Sequence, residues 1–254
     1  YLKQEYVDGW LEGNGLVKKF ATSPEVRGWY LINYARTGFT EQAVDSARSL
    51  VKQYARSPWP LMALQFARSR LAQREDDVVA EARRALAMAP NDANLTLLYT
   101  QVLERMGEFA AGVAYIDSAM SRFPNDANLL VQKGLLLRYR TREANADTAF
   151  ATRSREAWAE ALRVDSNNAN VLYIIATNSS APRGDTTAVT QLRRASQLSP
   201  FSTAINGSYW PAIQARRDLP DSVKKAIGPA DVARFINGRP GEPAFMYTGA
   251  DGYA

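Results

Sequence analysis

Apolar and small residues recur along this chain at helical spacing, in segments separated by short polar turns. One segment carries Thr96, Tyr99, Thr100 and Leu103, the next Leu130, Lys133, Gly134 and Leu137, and a third Leu172, Ile175, Ala176 and Ser179. Intervals of three and four residues put each set on one face of an α-helix. Asp92, Asp126 and Asn168 stand just before these segments, where a short side-chain acceptor can satisfy the unpaired N–H groups of a first helical turn. A turn follows at Gly107 or Gly184, and then a second segment with a small-large-small stripe: Gly112, Ile116 and Ala119, or Ala188, Leu192 and Ala195. The pattern predicts consecutive two-helix units.

The units repeat. The hexapeptide at Pro90–Leu95 returns at Pro124–Leu129, 34 residues later. Taking Pro90, Pro124, Ser166 and Pro200 as landmarks gives steps of 34, 42 and 34, and Ala85, Ala119, Ala161 and Ala195 keep a constant distance before them. A two-helix unit of this length cannot bury its apolar face alone, so neighbours must stack. Gly134 and Ala176 are the small positions of the first helices, where the partner helix can approach to roughly 8–10 Å. A bulky side chain at 134 is therefore expected to force the hairpin apart.

This arrangement resembles the tetratricopeptide repeat family over about residues 24–200, most clearly in the stretch from Ala93 to Pro124. Two upstream units are degenerate versions, marked by Tyr30, Leu31, Tyr34, Gly38 and Ala43, then by Met62, Phe66, Ala82, Ala85 and Pro90. The resemblance implies an all-α, right-handed α-solenoid of about five hairpins with a concave groove, spanning 24–58, 59–92, 93–126, 127–168 and 169–202. Residues 1–23 are expected to form a helical lead-in broken near residues 13–15, and 203–237 short capping helices punctuated by Pro211, Pro220 and Pro229. The Gly/Pro/Tyr-rich segment 238–254 reads as an extended tail.

In this family the ligand usually lies against the first helices. Carrying the groove positions over gives Asn94, Gln101 and Arg105, then Asn128, Val131, Arg138 and Tyr139, then Asn170, Tyr173 and Thr177. The recurring Asn suggests an amide ladder for an extended peptide, with the tyrosines supplying contact area; the alternative is that Asn94, Asn128 and Asn170 only serve the first helical turn. Members that bind chaperone tails clamp a carboxylate with Lys and Asn. The nearby positions here read Leu97, Gln101, Val131 and Leu135, which do not form that clamp.

The fourth unit is eight residues longer than its neighbours, and the extra length falls near 138–156. Arg138, Arg140, Arg142, Arg153 and Arg155 make this the most basic stretch. It is either a solvated helix extension paired with Glu143 and Glu156 or a docking site for an acidic partner.

Composition narrows the function classes. The chain is 254 residues long, 46% hydrophobic and 22% charged, with no Cys and no His. Disulfides, thiol nucleophiles, His bases and Cys/His zinc sites are excluded together. Glu75, Asp76 and Asp77 are neighbours on a turn, where solvation rather than a raised pKa is expected; no catalytic residue, metal or cofactor is assigned. The net charge of +5 is dispersed among acidic residues, so nucleic acid is not the expected partner. No run is long enough to span a bilayer. The expected function is a non-enzymatic scaffold for a protein or peptide partner. A structural subunit of a homo- or hetero-oligomeric extracytoplasmic or membrane-associated assembly, with the tail on a neighbouring chain, is the alternative. A regulatory array from a longer enzyme or transducer also stays open, since the chain starts at Tyr1 without Met, as a processed product or segment does. Absent Cys and abundant Asn, Ser, Thr and Tyr favour a bacterial extracytoplasmic location.

Overall fold

A computed structural model describes residues 14–71, 77–143, 147–178, 185–199, 202–225 and 227. Every regular element among them is α-helical. A helical turn over 14–19 precedes α1 (Pro24–Arg36), α2 (Thr40–Gln53), α3 (Pro58–Arg68), α4 (Val78–Ala87), α5 (Ala93–Met106), α6 (Phe109–Ala119), α7 (Ala127–Arg140) and α8 (Ala149–Val164). After Asp165 a second compact unit begins, with α9 (Ala169–Asn178), α10 (Thr186–Leu198), α11 (Thr203–Gln214) and a short helical stretch over 221–225.

Helix starts keep the phase of the whole chain. Ser23, Ser57, Asp92, Asp126, Asn168 and Ser202 stand immediately before α1, α3, α5, α7, α9 and α11, with intervals of 34, 35, 34, 42 and 34 residues. The Asp126 carboxylate accepts the backbone N–H groups of Asn128 and Leu129 at 2.9 and 3.0 Å. Asp92 does the same for Asn94 and Leu95, and Asn168 for Asn170 and Val171. Ser23 and Ser202 each accept one such bond, whereas Ser57 accepts none. The first helices thus begin on side chains that replace missing intrahelical partners. Thr203 opens α11 in the same phase, so α11 occupies the place of a sixth first helix.

In the first unit α1/α2, α3/α4, α5/α6 and α7/α8 pack as consecutive hairpins, and α1, α3, α5 and α7 also touch in succession. Helices α7 and α8 approach closely at Gly134. A Cβ built on Gly134 would lie 2.1 Å from Nε1 of Trp158, far inside any tolerable contact, so the glycine exists to admit the indole. The two helices are then tied by side chains that bond to backbone. Trp158 Nε1 donates to the Val131 carbonyl at 3.2 Å, and the buried Ser154 hydroxyl donates to the Gly134 carbonyl at 2.8 Å. Gly112 plays a similar part for α6 against Leu136. Gly107 ends α5 in the left-handed region at φ 80°, which favours glycine, and the N–H of Glu108 reaches back to the Leu103 carbonyl at 2.8 Å.

The core of the second unit is built by Ala176, Val189, Leu192, Tyr209, Ala212 and Ile213 from α9, α10 and α11. Here one expectation is corrected: Pro211 does not interrupt the helix but lies inside α11, which runs on to Gln214. Proline costs the N–H that would bond the Gly207 carbonyl, yet Tyr209, Ala212 and Ile213 on either side of it are buried, and their burial holds the last turn. The expected break near 13–15 is also not seen at Gly15, which lies within the turn over 14–19. Residues 1–13 and 228–254, including the tail, lie outside the described residues.

The extra length of the fourth unit resolves into an eight-residue connection, 141–148, against two residues, 107 and 108, in the preceding unit, together with an earlier start of α8. Arg140 pairs with Glu143 at 3.2 Å and lies over Phe150 at 4.1 Å, and Arg153 reaches Asp117 of α6 at 3.7 Å. Arg155 bonds within its own helix to Ala151 and Thr152. Most of the basic stretch is therefore spent on local packing.

Two substitutions check this account. Gly134→Val is expected to cost about 1–3 kcal/mol by overpacking, read as a lower urea midpoint, and to cost less in a Trp158→Leu background because the two sites share one space. Asp126→Ala is expected to cost about 1 kcal/mol through loss of the cap, while Asp126→Asn retains most of it; equal losses for the two would show that the cap bonds are idle.

Candidate functional site

The first helices of a stacked hairpin array present one face to the neighbouring first helices and another to solvent. In the first unit this produces a continuous polar and aromatic strip. At its floor are three buried amides, Asn33 on α1, Gln65 on α3 and Gln132 on α7. An amide there must be hydrogen-bonded to be tolerated. Asn33 accepts from Arg36 at 3.4 Å, Gln65 accepts from Arg68 at 2.8 Å, and Gln132 donates to the Glu104 carboxylate at 2.7 Å.

The charged partners of these amides extend the strip. Arg36 donates to Gln101 Oε1 at 2.9 Å, joining α1 to α5 across 65 residues of sequence. Its guanidinium carbon stands 5.0 Å from the centre of the Phe66 ring, and that of Arg105 stands 5.8 Å from the same ring. Arg68 pairs with Asp77 at 2.7 Å, and its hydrogen bond to the carboxylate holds Asp77 below the usual range. Tyr139 stacks on Phe109 with ring centres 5.2 Å apart, and Arg142 lies over it at 5.8 Å. Burial pushes the Tyr139 phenol up; the neighbouring Glu104 carboxylate pushes it the same way by charge and by accepting from the protonated form, against the pull of Arg142 and Arg105.

The sequence-predicted positions divide accordingly. Gln101, Arg105, Tyr139 and Arg142 belong to the strip, and Arg138 is half-buried beside Tyr139 in sequence. Arg140 turns to Phe150 and Glu143 instead. Asn94 is exposed and Asn128 half-buried in the first turns of α5 and α7, and the backbone N–H of each serves the cap. Val131 is a correction: it is buried, at 3% exposure, where the hairpin needs an apolar side chain. In the second unit Tyr173 packs on the core of α9–α11, the Thr177 hydroxyl donates to the Tyr173 carbonyl at 2.8 Å, and the Asn170 Oδ1 is buried with no hydrogen-bond partner among the described residues.

Asn33, Arg36, Gln65, Phe66, Glu104 and Gln132 escaped the sequence reading. A signal for part of the set was present. Counting thirteen residues on from Ser23, Ser57, Asp92 and Asp126 lands on Arg36, Arg70, Arg105 and Tyr139, one position of the repeat filled by cations and then a ring. Among the described residues no group of three or more acidic, His or Cys side chains could hold a metal ion, and no helix is long and apolar enough to cross a membrane.

The strip and its hairpins define a tetratricopeptide-like helical fold. The chain is similar to the crystal structure of yeast Tom70, with a TM-score of 0.58 and 11% identity over 92% of this chain and 47% of that one. Looser matches are a thermophilic TPR protein of Thermus thermophilus, TTC0263 (TM-score 0.42, 18% identity, 82% and 91% coverage), and the MamA RS-1 ArsTM double mutant (0.44, 16%, 75% and 94%). At these identities the Tom70 likeness shows a shared fold and nothing further. No family profile and no curated relative matches the chain.

The phenol offers a test of the strip. A tyrosine held above its ordinary value contributes stability that is fully present below about pH 10, the unfolded value, and is lost as pH rises through the folded one. Unfolding free energy measured from neutral to strongly alkaline pH is therefore expected to fall more steeply for the wild type than for Tyr139→Phe. Parallel curves would mean that Tyr139 titrates like an unburied phenol.

Proposed function

We propose that the first-helix strip of α1, α3, α5 and α7 holds a segment of a partner protein, and that the chain is a non-enzymatic scaffold. The observation that carries this reading is the bond from Arg36 to Gln101. It brings side chains of the first and third hairpins together, so residues far apart in sequence form one surface long enough for an extended or helical peptide. The strip offers the stacked Phe109 and Tyr139 rings and the guanidinium group of Arg105, residue types enriched at binding surfaces. Its titratable groups are few and mostly paired, and the arrangement supplies positioning and contact area rather than an acid–base pair.

Photo-cross-linking tests the assignment. A benzophenone amino acid placed at Arg105 or Arg138, in the last turns of the first helices, is expected to give a discrete adduct in lysate of the source cells. The same probe at Ala80 or Ala114, exposed on α4 and α6, is expected to give none. Adducts from the second-helix positions alone would place the partner elsewhere and end this reading.

A further inference from the structure

We propose that the helical stretch over 14–19 pairs, antiparallel and about a two-fold axis, with the same stretch of a second copy of this chain. The inference stands apart from the strip and starts from the repeat phase, which extends upstream of α1. Lys19 ends its stretch five residues before Pro24 opens α1, as Gln53 ends α2 five residues before Pro58 opens α3. Gly9, Gly13 and Leu16 stand 34 residues before Ala43, Ala47 and Leu50, which form the buried stripe of α2. Residues 14–19 thus take the place of the last turns of a second helix. Helices α2, α4 and α6 each pack between two first helices, and Leu50, Ala85 and Ala119, seven residues before the next cap, are buried there. Leu16 holds the same position before Ser23 and is 45% exposed, as is Phe20. The Phe20 N–H bonds the Leu16 carbonyl at 2.7 Å, so the two side chains lie one turn apart on one open face. What covers that position in the hairpins that follow is a helix.

Charge order says which helix fits. Leu2, Tyr6, Gly9, Gly13, Leu16 and Phe20 follow one another at intervals of 4, 3, 4, 3 and 4 residues, the spacing at which two helices pair along a seam. Glu12 and Lys19 each stand immediately before a seam position and are one heptad apart, on the same flank of it. Lys19 lies 5.4 Å from the centre of the Phe20 ring, at the edge of the apolar face. The flank therefore runs from an acid to a base. A second copy running in the opposite direction reverses that order and sets each Lys19 against the partner's Glu12, so one two-fold axis forms both contacts. The small side chains at 9 and 13 allow the axes to come close. A helix of unrelated sequence has no reason to carry the matching order.

Size-exclusion chromatography with light scattering on the whole chain, over about a hundredfold range of concentration, tests the proposal. The wild type is expected to show a monomer–dimer equilibrium, and Leu16→Glu/Phe20→Glu to stay monomeric throughout. Met88→Glu, at an exposed apolar position outside this face, is expected to dimerise like the wild type. Lys19→Glu is expected to weaken the dimer about tenfold, and Glu12→Lys/Lys19→Glu, which exchanges the two charges, to restore it. Circular dichroism checks that each variant keeps its helix content. A wild type that is monomeric at every concentration, a dimer that survives Leu16→Glu/Phe20→Glu, or a Lys19→Glu loss that the charge exchange does not restore would each overturn the antiparallel pairing. A monomer whose benzophenone at position 16 captures a different protein would give this face to that protein and overturn it as well.

Discussion

The close approach of paired helices is the constraint on which the rest of the first unit depends. At Gly134 the absence of a single carbon lets the Trp158 indole enter α7 and bond its backbone. A hairpin closed this tightly has one register, and with the register fixed, every side chain of the first helix has a fixed direction. Stacking then transmits that direction from unit to unit. Helices α1, α3, α5 and α7 touch in succession, so side chains from different hairpins meet on one strip because the seams beneath them leave no freedom to slide.

That dependence explains what could be read in the residues. Caps and small positions act locally, within a turn or a hairpin, and each left a local mark: Asp92 and Asp126 before their helices, Gly107 after α5, Gly134 against α8. Ser23, Ser57 and Ser202 keep the same phase, but serine is too common to stand out without the neighbouring period. The strip is different in kind. Arg36 and Gln101 are 65 residues apart, and Phe66 receives cations from two different helices. Contacts of that range depend on how successive units tilt, which no spacing within one unit records. Pro211 shows the opposite limit, since a strong local rule yielded to the burial of Tyr209 and Ile213 around it.

The balance of polar groups also separates floor from rim. Asn33, Gln65 and Gln132 are buried and bonded to charged neighbours, an arrangement worth less in net stability than an apolar floor of the same shape but costly to break, because a lone partner would stay buried. Such a network fixes where Arg36, Arg68 and Glu104 point. It also consumes hydrogen-bonding capacity: the floor amides are already answered and have little left for a ligand.

On the proposed scaffold reading a partner meets the rim of the strip, where affinity and choice of partner have different sources. Phe109 and Tyr139 lie stacked and offer area with little conformational freedom to lose, so they add affinity without regard to charge. On the same reading the exposed guanidinium groups of Arg105 and Arg142 add little affinity in water but disfavour a partner bearing cations at the same spacing. On that reading a strip with bonded amides beneath and cations at its rim discriminates by charge pattern, and the rigidity that would make the pattern readable is inherited from the glycine seam under α7.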